Sequence, residues 1–165
     1  MRLPLMDNNY LLMSSLHTIE NLYEEYTEFR KLRITFSQFT HLVHFYPVLL
    51  IISTDGKVDE KEWKYVQHLS ESLGDLYLKD ITDPELLSDL KALYLNEFKF
   101  LLMNFDTWER KFIKTLRQYL AENPEKKTEI LQTMYLFANV SDGVHEKEEI
   151  MIEHVKKELG IEHTL

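Results

Sequence analysis

The chain contains no cysteine. That absence excludes disulfides, CxxC redox chemistry, thiolate zinc sites and cysteine nucleophiles together. Any metal must therefore be held by oxygen or imidazole. Glycine and proline number only four each in 165 residues. That is too few for a β-sandwich or barrel, which needs a turn roughly every ten residues. It also leaves no glycine-rich loop to cradle a phosphate. Basic residues are scarce: Lys and Arg total 19 against 28 Asp and Glu, a net charge of −9. A net-acidic chain without a basic block is a poor ligand for nucleic acid or anionic lipid, and a better one for cations or a basic protein partner. Long apolar runs are missing too. The longest, Phe45 to Ile52, is interrupted by Pro47, whereas a membrane span takes ~20 residues. The start, MRLPLMDNN, has no apolar h-region, so no signal peptide and a cytoplasmic location are expected.

Helical periodicity fills the rest. Leu12, Leu16, Ile19, Leu22, Tyr26 and Phe29 recur at spacings of three and four, one stripe of a helix over residues 10–32. A more apolar and hence central helix is expected from Thr35 to Ser53, kinked or restarted at Pro47. Asp59 to Leu73 carries Trp63, Val66, Leu69 and Leu73 on one side. Asp83-Pro84 reads as a cap with proline at the first helical position, opening a helix to about Met103. Asp106 with Glu109 reads as a capping pair for a helix to about Leu120. Asn123-Pro124 begins another, reaching Val140, and His145 to Leu159 is the last. No stretch alternates with period two. The expected fold is all-α, one domain over residues 1–165, a bundle of about seven helices.

The four glycines fall into two pairs. Gly56 and Gly143 follow aspartate; Gly74 and Gly160 follow a leucine at an expected helix end, where glycine relieves left-handed backbone. DGKVDEKEWKYVQHLSESLG (55–74) aligns with DGVHEKEEIMIEHVKKELG (142–160) after one gap. Val58 then matches Val144, Glu60-Lys61-Glu62 matches Glu146-Lys147-Glu148, and His68 matches His154. The apolar helix before each unit matches as well. Two repeat halves result, about 35–74 and 124–160, expected to pack about a pseudo-twofold axis.

The acidic turns resemble half of an EF-hand calcium loop. With Asp55 at loop position 5, Gly56, Asp59 and Glu62 fall at positions 6, 9 and 12. Positions 1 and 3 would be Ile51 and Ser53, and Ala138 and Val140 in the second copy, so neither turn is a complete loop. Two turns together would supply enough oxygen: Asp55, Asp59 and Glu62 with Asp142, Glu146 and Glu149. Glu148 replaces Glu149 if the gapped register holds, and His145 would add an imidazole. The same residues also read as ordinary helix starts, with Asp59 and Glu62 as N-cap and partner and Glu60 favoured by the helix dipole.

An apolar helix, Asp-Gly-x-Val-x-x-x-Glu and a helix closing on Leu-Gly, present twice, resembles the tellurite-resistance TerB-like family. The resemblance covers about 35–74 and 124–160. It implies a small all-helical, acidic, metal-ion-binding module of stress-response assemblies, with Asp55, Asp59 and Glu62 matching in the first motif. Asp142, Glu146 and Glu148 or Glu149 match in the second. Ser53-Thr54 and Val140-Ser141 stand where a small Ala often precedes the aspartate.

Other constellations carry less. His41 and His44 share a face of the central helix but lack a third ligand, and read as packed or surface histidines. His68 and His154 read as packing or dipole residues. Neither Glu-x-x-His, His-Glu-x-x-His nor Gly-x-Ser-x-Gly occurs. Arg30, Lys31 and Arg33 read as helix C-terminal dipole partners. Tyr94, Phe98, Phe100, Phe105, Trp108 and Phe112 read as core. The expected function is a non-enzymatic module binding a divalent cation, calcium-like by its ligands. The alternatives are a metal-independent acidic scaffold for a protein partner and, last, a metal hydrolase on the same carboxylates.

Overall fold

The computed structural model describes residues 17–53, 58–138 and 146–163. Among these residues the structure is all-helical, with no strand. The helices are α1 (Ile19–Arg30), α2 (Phe36–Ile52), α3 (Glu60–Asp75), α4 (Pro84–Met103), α5 (Phe105–Glu122), α6 (Lys127–Ala138) and α7 (Glu146–Leu159). A 3₁₀ turn, Pro124–Lys126, leads into α6.

Local chemistry starts most of them where the sequence expects. Thr35 caps α2 in a reciprocal box with Gln38, each side chain bonded to the other's backbone N–H (3.1 and 3.0 Å). Asp83 accepts from the Glu85 N–H at 2.9 Å, with Pro84 in the first turn of α4. Thr18 accepts from the Asn21 N–H at the head of α1. The start of α5 differs. Its N-cap is Asn104, which makes no capping bond, and Asp106 lies inside the first turn. Asn104 instead donates from Nδ2 to the Phe100 carbonyl, closing α4. Asp106 and Glu109 are therefore not a capping box, and their carboxylates are left to other surroundings.

α2 is the hub. Phe39, Leu42, Val43, Tyr46 and the whole run from Val48 to Ile52 are buried, and the helix packs against each of the other six. It runs unbroken through Pro47, so the proline neither ends the helix nor restarts it; the surrounding packing outweighs the lost N–H. α3 lies chiefly on α4, and α7 on α5 and α2. Ile19, Leu22 and Tyr26 bury the α1 stripe, while Phe29 at its end is 63% exposed. Of the aromatic stretch, Tyr94, Phe98, Trp108 and Phe112 are core, and Phe100 and Phe105 are half-buried beside it.

The two Leu-Gly pairs end differently. Gly160 has φ +69°, and the Gly160 and Ile161 N–H groups return to the Lys157 and Lys156 carbonyls, a Schellman stop. Gly74 stays in the right-handed helix of α3, against the expectation of a left-handed stop. It is small because α4 crosses there: a Cβ would stand 2.3 Å from Cγ of Lys91. The left-handed stop absent at Gly74 occurs instead at Lys31, with φ 56°. There Leu32 N–H reaches the Thr27 carbonyl at 3.0 Å.

Candidate functional site

Asp55, Gly56, Asp142, Gly143 and His145 lie outside the described residues. The other acids sit at two helix starts. Asp59 caps α3, its Oδ1 accepting from the Glu62 N–H at 2.8 Å. Glu60 and Glu62 complete the first turn of α3, and Glu146, Glu148 and Glu149 form that of α7. Each set complements the positive end of its helix dipole. Asp59 and Glu62 are thus brought together as cap and partner. Among the described residues, no group of three or more histidine, aspartate and glutamate side chains is gathered at ligating distance.

His41 and His44 are half-buried against aromatic rings, and His68 and His154 are exposed. His41 Nδ1 lies 2.7 Å from the Tyr77 hydroxyl, which also meets Ser37 Oγ. His44 packs on Tyr119 with ring centres 4.7 Å apart and ring planes inclined at 46°, and its Nε2 is buried without a hydrogen-bond partner among the described residues. Burial, then the neighbouring His41, holds the His44 pKa down to about 4. His68 approaches Phe137, and His154 Nε2 stands 4.0 Å from Glu158.

Arg30 has a more specific role than dipole partner. Its Nε and Nη2 grip both oxygens of Glu97 at 2.8 and 3.1 Å, and its guanidinium lies 3.8 Å over the Phe100 ring. Tyr26 donates its hydroxyl to the same carboxylate at 2.8 Å. Glu97 is 2% exposed. This triad, centred on the buried Glu97, fastens α1 to α4.

A cleft of about 520 Å³ opens between α5 and α7, and the sequence reading missed it. Asp106, Glu109, Arg110, Ile113 and Lys114 of α5 form one wall, and His154, Val155 and Glu158 of α7 the other. Leu50 of α2 lies at the floor, with Phe105 beside it. Glu109 is half-buried, and neither it nor Asp106 has a hydrogen bond or ion pair among the described residues. Burial raises the Glu109 pKa; Glu158 and Asp106 push the same way, and His154 opposes them. The signal was present in the sequence: positions 106, 109, 110, 113 and 114 make one helical stripe that mixes charge with isoleucine. Reading Asp106 and Glu109 as caps concealed it.

Comparison with family models, curated proteins and solved structures finds no match for this chain.

Proposed function

We propose that the chain is a non-enzymatic, TerB-like helical module whose working surface is the pair of acidic helix starts after its Asp-Gly turns, and whose ligand there is a divalent cation. The observation that carries this reading is the density of oxygen donors: Asp59, Glu60 and Glu62 crowd the start of α3, and Glu146, Glu148 and Glu149 that of α7. Asp55 and Asp142 precede them in sequence. Hard cations such as calcium take six to eight oxygens, more than one turn supplies, so the ion would draw on both.

One observation favours a second reading, a metal-independent acidic scaffold for a basic protein partner. Asp59 already uses an oxygen to cap its own helix at 2.8 Å, so these acids have a purpose without a metal. Calorimetric titration of chelator-stripped protein with calcium, then magnesium, manganese and zinc, separates the two. The cation reading expects saturable binding near one ion per chain, abolished in Asp55→Asn/Asp142→Asn with helicity retained. Absence of binding by all four ions overturns it in favour of the scaffold.

A further inference from the structure

A separate cavity of about 230 Å³ lies where the head of α1 and the start of α2 meet α5. Its α5 wall is Thr115, Gln118, Tyr119 and Glu122, spaced by three and four and therefore on one face of the helix. Phe36 and Thr40, one turn apart, form the α2 wall, and Glu20 stands on the α1 side. Two carboxylates thus line it, and of basic side chains only His17 does; no lysine or arginine is on its walls among the described residues. The hydrogen bonds within the walls leave further acceptors. Thr40 spends its hydroxyl proton on the Phe36 carbonyl at 2.8 Å, and Asn123, at the α5 end of the cavity, donates from Nδ2 to the Tyr119 carbonyl at 2.9 Å. Thr40 Oγ and Asn123 Oδ1 remain as acceptors. The positive end of α1 already carries the Thr18 cap and Glu20, so it makes no claim on an anion.

A second observation is independent of charge. Thr115 lines this cavity and is only 2% exposed, yet its hydroxyl makes no hydrogen bond among the described residues. The chain's other helical threonines behave differently: Thr27, Thr40 and Thr133 each return the hydroxyl to the carbonyl one turn back, at 2.6, 2.8 and 2.9 Å. Thr115 makes no such bond to Lys111. Nor is its oxygen among the buried atoms sealed off without a partner, so what it opens onto is the cavity it lines. Buried hydroxyls ordinarily find a partner, and here the vacant partner position is inside the cavity.

We propose that this cavity is a binding site for a guanidinium group. Its N–H groups would donate inward to Thr115 Oγ and outward to the Glu122 and Glu20 carboxylates at the mouth. Its flat face would lie against the Phe36 and Tyr119 rings, which both line the cavity. A guanidinium is the cation that suits such walls, because it is planar, weakly hydrated and presents several N–H donors in fixed directions, whereas an ammonium is a compact and strongly hydrated point charge. The site shares no residue with the acidic turns after the Asp-Gly pairs.

The test is an NMR titration of the full chain with methylguanidinium, far below denaturing concentration, with methylammonium and acetate as controls. Saturable shifts confined to the amides of α5 and the first turns of α1 and α2 are expected, with methylammonium weaker by about fivefold or more and no binding of acetate. Thr115→Val, which keeps the shape and removes the hydroxyl, should weaken methylguanidinium by about fivefold. Glu20→Gln/Glu122→Gln, two exposed positions that leave the core untouched, should weaken it by a similar factor. Asp55→Asn/Asp142→Asn should leave it unchanged, which separates this site from the proposed cation site. A capped Gly-Arg-Gly tripeptide distinguishes the sources: affinity equal to or above that of methylguanidinium assigns the group to an arginine of a partner protein, and loss of binding in the tripeptide assigns it to a free guanidino compound. Failure of methylguanidinium to saturate, equal binding of methylammonium, shifts centred on α3 and α7, or full affinity in both Thr115→Val and Glu20→Gln/Glu122→Gln overturns the proposal.

Discussion

Gly74 offers a substitution whose sign depends on one neighbouring side chain. Replacing helical glycine by alanine ordinarily stabilises by about 0.5–1 kcal/mol. At Gly74 the new methyl would stand 2.3 Å from Cγ of Lys91, 3.0 Å from its Cε and 3.2 Å from its Cδ. Lys91 runs along this surface to reach Asp75, with Nζ 2.8 Å from Oδ1. Gly74→Ala must therefore displace the whole lysine stem. Overpacking of this kind costs about 1–3 kcal/mol, and the partly exposed Lys91–Asp75 pair adds up to about 1 kcal/mol. The net expectation is destabilisation by about 1 kcal/mol. In a Lys91→Ala background the three atoms nearest the new methyl are gone, and the same change should stabilise by about 0.5–1 kcal/mol. Urea denaturation of the four proteins in this cycle measures the coupling, expected near 1.5–2 kcal/mol. A Gly74→Ala protein more stable than wild type, or one with equal effects in both backgrounds, refutes the account of why glycine is there.

Three more expectations follow from other sites. Lys31→Gly should raise stability by about 0.5–1 kcal/mol, because a side chain now occupies left-handed backbone at φ 56°; an unchanged melting temperature would count against that strain. Arg30→Met should cost about 3 kcal/mol, since it strips the bidentate partner from a carboxylate that is 2% exposed; a loss within experimental error would mean Tyr26 alone satisfies Glu97. His44 carries a proton in the unfolded chain below about pH 6.5 and in the folded chain only below about 4. Its stabilising effect is therefore full above 6.5 and drains as pH falls, by about 1.4 kcal/mol per pH unit and ~3 kcal/mol in all. Glu129 opposes this shift, while His41 and Lys126 reinforce it. His44→Phe should flatten the acid limb of a stability–pH curve between 6.5 and 4, and an unaltered slope would place the acid sensitivity elsewhere.

The helices were legible because their signals are local. Thr35 with Gln38, and Asp83 followed by Pro84, are capping devices within a few residues, and the stripes of α1 and α3 are periodic apolar faces. The capping half of the acidic-turn reading was legible for the same reason: Asp59 and Glu62 are three residues apart. What escaped was tertiary. Arg30 meets Glu97 across 67 positions, which no local rule links. Gly74 answers to α4, not to the end of its own helix. Asp106 and Glu109 imitate a helix start two residues after the actual one, because Asn104 ends one helix and begins the next. The cleft lay hidden behind that imitation.

The position of α2 bears on how the molecule opens. Every other helix leans on it, so peeling any one of them away uncovers only part of its circumference. Amides in the middle of α2, from Leu42 to Leu50 with Pro47 contributing none, should then exchange with solvent only when the entire chain unravels. Their slowest exchange rates would report the global free energy of unfolding, while α1 and α7 exchange through smaller, separate openings. The central helix is in this sense the molecule's internal clock.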